Sequence, residues 1–150
     1  MMETRVLLDI SSTVAMLKLV DGVTEQFGRI AGLDEDGVHG LGVAVREAVV
    51  NGIKHGNESD ERKRVHVEYA VVHNAVQRRV VVRVRDEGHG FEMEDVADPL
   101  APENVGLTSG RGILLVRSFM DDVEVRRVPG GGTEITMTKA IQGGLLTGLT

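Results

Sequence analysis

The chain has 150 residues, 41% of them hydrophobic and 27% charged, a formal net charge of −6 and no cysteine. This is the composition of one globular domain able to close a core between two layers, and it excludes disulfides, thiolate metal sites and cysteine catalysis. The acidic balance and an aromatic content of 3% argue against a nucleic-acid-binding face, and no apolar run approaches the roughly 20 residues of a membrane helix.

The start "MMETRVLLDI" carries acids at Glu3 and Asp9, and its apolar stretch is too short for a signal peptide. A soluble, cytoplasmic protein is therefore expected, with neither membrane nor nucleic acid as a direct partner.

Residues 4–10 read as a short strand. A first helix follows, with Ser11 or Ser12 as its cap, apolar residues at Val14, Leu17, Val20/Val23 and Phe27/Ile30, and Gly32 as its end. A second helix starts near Asp34 and runs to about His55, with Val38, Leu41, Val45, Ala48/Val49 and Gly52/Ile53 as its buried stripe. "HGNESDERK" is a loop. Residues 64–72 and 77–86 alternate as strands do, joined by the turn "HNA".

From Phe91 to Gly110 two prolines and five acids appear without lasting periodicity, as in a lid. Residues 112–120 read as a helix, "DDVEVRRV" and "GTEITMTKA" as two strands, and 140–150 as a flexible Gly-rich tail. Helices on one face of a mixed or antiparallel β-sheet, an α+β two-layer sandwich, is the economical architecture for this order.

Three segments carry chemistry. On the second helix Glu47 and Asn51 are four apart, with Lys54 and His55 one turn on, so all four project to one side. That set is either a polar outer face or a general base with a magnesium ligand and phosphate contacts. In "RDEGHGFE" Asp86 stands where a strand stops, and Gly88 and Gly90 let the backbone turn and a flat ligand come close. A tight turn is the plain alternative. "SGRGI" supplies Ser109, Gly110, Arg111 and Gly112 at the opening of a helix, where backbone N–H groups can bind phosphate, or where a lid hinges. Neither an HExxH spacing nor a G-x-S-x-G elbow is present, which removes the common metal-hydrolase and serine-hydrolase readings.

In this order "EAVVNGIKHG", "VRDEGHGF", "SGRGILLVRSFMDDVEV" and "GGTEITMTK" resemble the GHKL nucleotide-binding fold of histidine-kinase, gyrase-type, Hsp90-type and MutL-type ATP-binding domains. Within it they look most like the anti-sigma-factor serine kinases of bacteria, over roughly residues 5–139 with a lid at about 91–111. The resemblance implies ATP and magnesium as cofactors. It makes Glu47 the general base, Asn51 the magnesium ligand, and Lys54 and His55 phosphate-side residues. Asp86 would read the exocyclic amine of adenine, with Thr133 in support. Gly88 and Gly90 would shape the base pocket, and Ser109, Gly110, Arg111 and Gly112 would close on the phosphates.

A STAS-type anti-anti-sigma protein, a sigma factor and a second copy of the chain are the partners so implied. A nucleotide-gated binding module without transfer activity, or a detached ATPase module of a larger signalling complex, is the alternative.

Overall fold

Alternation in the valine runs builds a single sheet. The computed structural model describes residues 4–88 and 108–141, the side chains of 108–113 excepted. Its strands are β1 (Thr4–Ser11), β2 (Arg64–His73), β3 (Arg78–Arg85), β4 (Asp122–Arg127) and β5 (Thr133–Ala140). They lie in the order β1-β2-β3-β5-β4, and every pairing is antiparallel, the second of the two sheet types expected. One face carries Val65, Val67, Tyr69 and Val71, then Val80, Val82 and Val84, then Ile135 and Met137, all buried. Register sets these residues side by side, as in Val67↔Val84 and Val82↔Met137. Each such side chain contributes roughly 2 kcal/mol by leaving water. The opposite face is polar: Glu68 is paired with Arg5 and, at 3.1 Å, with Arg83.

Three helices cover the apolar face: α1 (Leu17–Ala31), α2 (Glu35–Asn51) and α3 (Thr108–Phe119). The buried stripe of α1 is Leu17, Val20, Thr24, Phe27 and Ala31, a 3-4-3-4 spacing that fits the helical period. Val14 and Ile30, expected in that stripe, are 57% and 70% exposed. Val14 lies in a preceding 3-10 turn (Val14–Met16), and Ala31 rather than Ile30 completes the period. Tyr69 reaches α1 from the sheet, its hydroxyl 2.8 Å from Thr24 Oγ1 and its ring against Phe27.

Ser11 and Ser12 do not cap this helix. Ser11 belongs to β1, α1 starts from Met16 and the preceding 3-10 turn from Thr13, neither with a side-chain capping bond, and Ser12 is buried and donates to the Lys63 carbonyl at 2.8 Å. The end of α1 is as expected: Gly32 adopts φ 98°, and its N–H bonds back to Gly28 and Arg29, a left-handed cap that glycine takes without strain.

Asp34 caps α2, accepting the Gly37 N–H at 2.7 Å, and Glu35 and Asp36 in the first turn complement the helix dipole. The whole expected stripe of α2 is buried. Gly40 admits α3 closely, since a Cβ there would stand 3.0 Å from Phe119 Cδ1. Lys139 Nζ donates to the Phe119 carbonyl at 3.0 Å and so satisfies the C-terminal end of α3. Ala140 and Ile141, expected to begin the tail, belong to the fold: Ala140 ends β5, and Ile141 is buried and donates to the Arg78 carbonyl at 2.9 Å. Among the described residues no helix is long and apolar enough to cross a membrane.

Candidate functional site

The C-terminal end of α2 changes winding. After Asn51 the chain takes a π-helical turn, Gly52–Gly56, instead of continuing as α-helix. Such turns are rare and concentrate at functional sites. Glu47 and Asn51 lie on the regular part, one turn apart on the same flank, and both are half-buried. Lys54 and His55 fall in the wider turn, which rotates them away from the position that α-helical spacing gives, and both are exposed. The expected set of four therefore divides into an inner pair and an outer pair. Among the described residues the buried Asn51 Nδ2 has no hydrogen-bond partner. An unmet buried amide donor costs about 1–3 kcal/mol, so this group suits a ligand with acceptor oxygens.

Asp86 stands one residue beyond β3 and is 7% exposed. Its Oδ1 accepts the backbone N–H of Gly88 at 3.0 Å and of Thr133 at 3.1 Å, while its own N–H donates to the Thr133 carbonyl at 3.0 Å. Among the described residues Oδ2 accepts no such bond, and it faces the α-carbon of Gly56. Burial pushes the Asp86 carboxyl up, while the two backbone N–H groups and the charge of Lys63 pull it partly back. Thr133 supports Asp86 through its backbone.

Three glycines make this seat possible. A methyl at Gly56 would occupy the place of the Asp86 carboxylate, one at Gly132 would strike the Asp86 carbonyl, and one at Gly88 would strike the Gly56 carbonyl. Gly52 also packs on Asp86, a Cβ there lying 3.6 Å from the Asp86 Cβ. The first and second sequence segments thus meet: the end of α2 rests against the end of β3.

The third segment enters earlier than expected. Helix α3 begins at Thr108, so Ser109, Gly110, Arg111 and Gly112 form its first turns. Gly90 and the stretch 91–107 lie outside the described residues.

Three residues passed over in the sequence also belong here. Lys63 is a cation close enough to act on Asp86. Arg127 pairs in register with Thr133, and strand parity from Val84, Ile135 and Val125 sets Asp86, Thr133 and Arg127 in one row on the helix-facing side. The Arg127 Nε is buried and has no hydrogen-bond partner among the described residues. Counting parity along β4 would have found it. Asn57 is wholly buried and bonded to Ser12, Arg64 and Glu87, whereas the sequence places it only in the loop "HGNESDERK".

An anchored buried carboxylate, a glycine seat and an adjacent acid–amide pair on a helix suit a flat polar ring at one end and an anionic group at the other. Residues 10–139 match the histidine kinase-like ATPase domain family. The chain is 31% identical over 117 residues to the serine-protein kinase RsbW of Listeria monocytogenes, covering 74% of this chain and 71% of that one. It is 33% identical over 99 residues to the anti-sigma F factor of Oceanobacillus iheyensis, covering 65% of each. Against the anti-sigma F factor of Clostridium perfringens it is 38% identical over 98 residues, covering 64% of this chain and 67% of that one. Among solved structures, the RsbU and RsbW domains of a Mycobacterium tuberculosis protein superpose with a TM-score of 0.65 at 17% identity, over 91% of this chain and 32% of that one, a likeness of fold. The family match spans most of the chain, which therefore belongs to the histidine kinase-like ATPase domain family.

Proposed function

We propose that this chain is an ATP-dependent anti-sigma-factor serine kinase. In this reading it phosphorylates a serine of a STAS-type anti-anti-sigma protein and holds a sigma factor in a partner-switching circuit, as a cytoplasmic homodimer. The observation that carries the ATP assignment is the Asp86 seat: one carboxylate oxygen is fixed by two backbone N–H groups, and three glycines bring the end of α2 against it. A carboxylate fixed in this way can accept from the exocyclic amine of adenine and rejects a base that offers a carbonyl there. The relatives named serine-protein kinase and anti-sigma F factor support the kinase assignment and the partners.

Glu47 and Asn51 would meet the other end of the nucleotide. Asn51 would offer a carbonyl to magnesium, while its Nδ2, without a partner among the described residues, would offer a donor to phosphate oxygen. When bound, magnesium supplies charge neutralisation at the phosphates. Glu47 would orient the serine hydroxyl of the partner and accept its proton as the serine oxygen bonds to the γ-phosphorus and ADP departs with the bridging oxygen. Lys54 and His55, exposed in the π turn, would act at the phosphate rim, and Ser109, Gly110, Arg111 and Gly112 would close over the phosphates. Gly90 would line the base pocket with Gly88. Incubation with labelled ATP, magnesium and a STAS-domain partner tests the assignment. Label should appear on a serine of the partner; tight ATP binding without label would favour a nucleotide-gated binding module instead.

A further inference from the structure

Four chain segments end on one side chain. Asn57 is 0% exposed, its Nδ2 donates to Ser12 Oγ at 2.7 Å and to the Arg64 carbonyl at 2.9 Å, and its Oδ1 accepts the Glu87 N–H at 2.7 Å. Its own N–H donates to the Gly52 carbonyl at 2.8 Å, the bond that closes the π turn. Ser12, 1% exposed, passes the connection on to the Lys63 carbonyl at 2.8 Å. The amide therefore joins the ends of β1, β2 and β3 to the end of α2, using both donor hydrogens and one acceptor position.

What it holds at β3 matters most. Glu87 follows Asp86 directly, and its N–H lies between the Asp86 carbonyl, packed on Gly132, and the Gly88 N–H that grips Asp86 Oδ1. The Glu87 side chain is fixed on the other side, accepting the Arg64 N–H at 2.9 Å and lying 2.7 Å from His66 Nε2. Because Asn57 is the residue after Gly56, the same short segment both presses on the Asp86 carboxylate and clamps the peptide that follows Asp86.

We infer that Asn57 is a positioning residue for base selection: by holding the Glu87 N–H against the π turn, it fixes where the Asp86 carboxylate points. The inference rests on the reading of Asp86 as the residue that selects adenine. A loop staple without that role would contribute stability alone. The acceptor and the donors of Asn57 separate the two roles, since Oδ1 holds Glu87 while Nδ2 holds Ser12 and Arg64.

The test is competition of ATP and GTP for the full chain with magnesium, alongside urea unfolding, for wild type, Asn57→Ala, Asn57→Asp and Ser12→Ala. Asn57→Ala should lower the ATP-over-GTP preference at least about tenfold, the size of one lost hydrogen bond. Asn57→Asp keeps an acceptor for Glu87, so it should keep most of the preference while losing stability. Ser12→Ala should lose stability and keep the preference. A folded Asn57→Ala protein with the wild-type ATP-to-GTP ratio would overturn the inference. Should Asn57→Ala not fold, Asn57→Ser, whose hydroxyl is one atom too short to reach Glu87, carries the same contrast with Asn57→Asp. A wild-type protein without ATP-over-GTP preference would instead remove the Asp86 reading itself.

Discussion

The α-carbon of Gly56 lies against the Asp86 carboxylate so closely that no side chain fits between them. This contact joins the π turn after α2 to the end of β3, and it makes one seat from two segments 30 residues apart. Gly56→Ala should therefore displace Asp86 and loosen the seat. Overpacking of this kind costs typically about 1–3 kcal/mol. Calorimetric titration should find ATP affinity reduced by at least about tenfold, a loss of ~1.4 kcal/mol; Gly22→Ala, at an open position, is the control expected to bind normally.

Asp86 also leaves a signature in stability. Burial raises its carboxyl pKa in the folded state above its unfolded value, so the folded protein keeps a proton that the unfolded chain has already released. Its contribution is fully present below the unfolded value, is lost as pH rises through the window up to the folded value, and stays lost above it. Asp86→Asn keeps an acceptor for Gly88 and Thr133 but cannot ionise. Urea unfolding across acidic pH should therefore find the mutant gaining on wild type as pH rises through that window. The same substitution should erase the ATP-over-GTP preference, and an unchanged preference would remove Asp86 from the base site.

Tyr69 is the one tyrosine of the chain, so absorbance reports it alone. Burial pushes its hydroxyl up to about 12, against the opposing effect of its bond with Thr24. Phenolate absorbance should thus appear only near that pH, or together with unfolding. Stability from this group is present below the ordinary tyrosine value and is lost as pH rises through about 12. Tyr69→Phe should cost about 1 kcal/mol, because Thr24 retains its bond to the Val20 carbonyl at 2.7 Å.

The order of elements was legible because periodicity is a direct consequence of burial on one face. Period two in residues 64–72 and 77–86, and the Asp34 and Gly32 signals at the helix ends, reappear as β2, β3 and two well-formed caps. Asp86 and Gly88 stood together in the sequence, open to a close approach or a tight turn, whereas Gly56 and Gly132 come against Asp86 only through the tertiary fold. The π turn was not legible, since "GIKHG" continues a helical pattern and nothing local marks the wider winding. Ser12 was misjudged because a serine before a helix is a common end signal, and Asn57 was passed over inside a loop; only tertiary contact brings these two together at 2.7 Å. Ala70 and Val81 show the same limit. They face each other on the polar side of the sheet, yet are 3% and 9% exposed.

Glu47→Gln tests the kinase assignment most directly, measured as phosphate transferred to a STAS-domain partner and as ATP affinity in the same preparation. The amide preserves size and the helix flank shared with Asn51 but cannot take the hydroxyl proton. ATP affinity should stay within about twofold of wild type while transfer falls by about 10²–10⁴, the range of a lost general base. Undiminished transfer by Glu47→Gln would contradict that role.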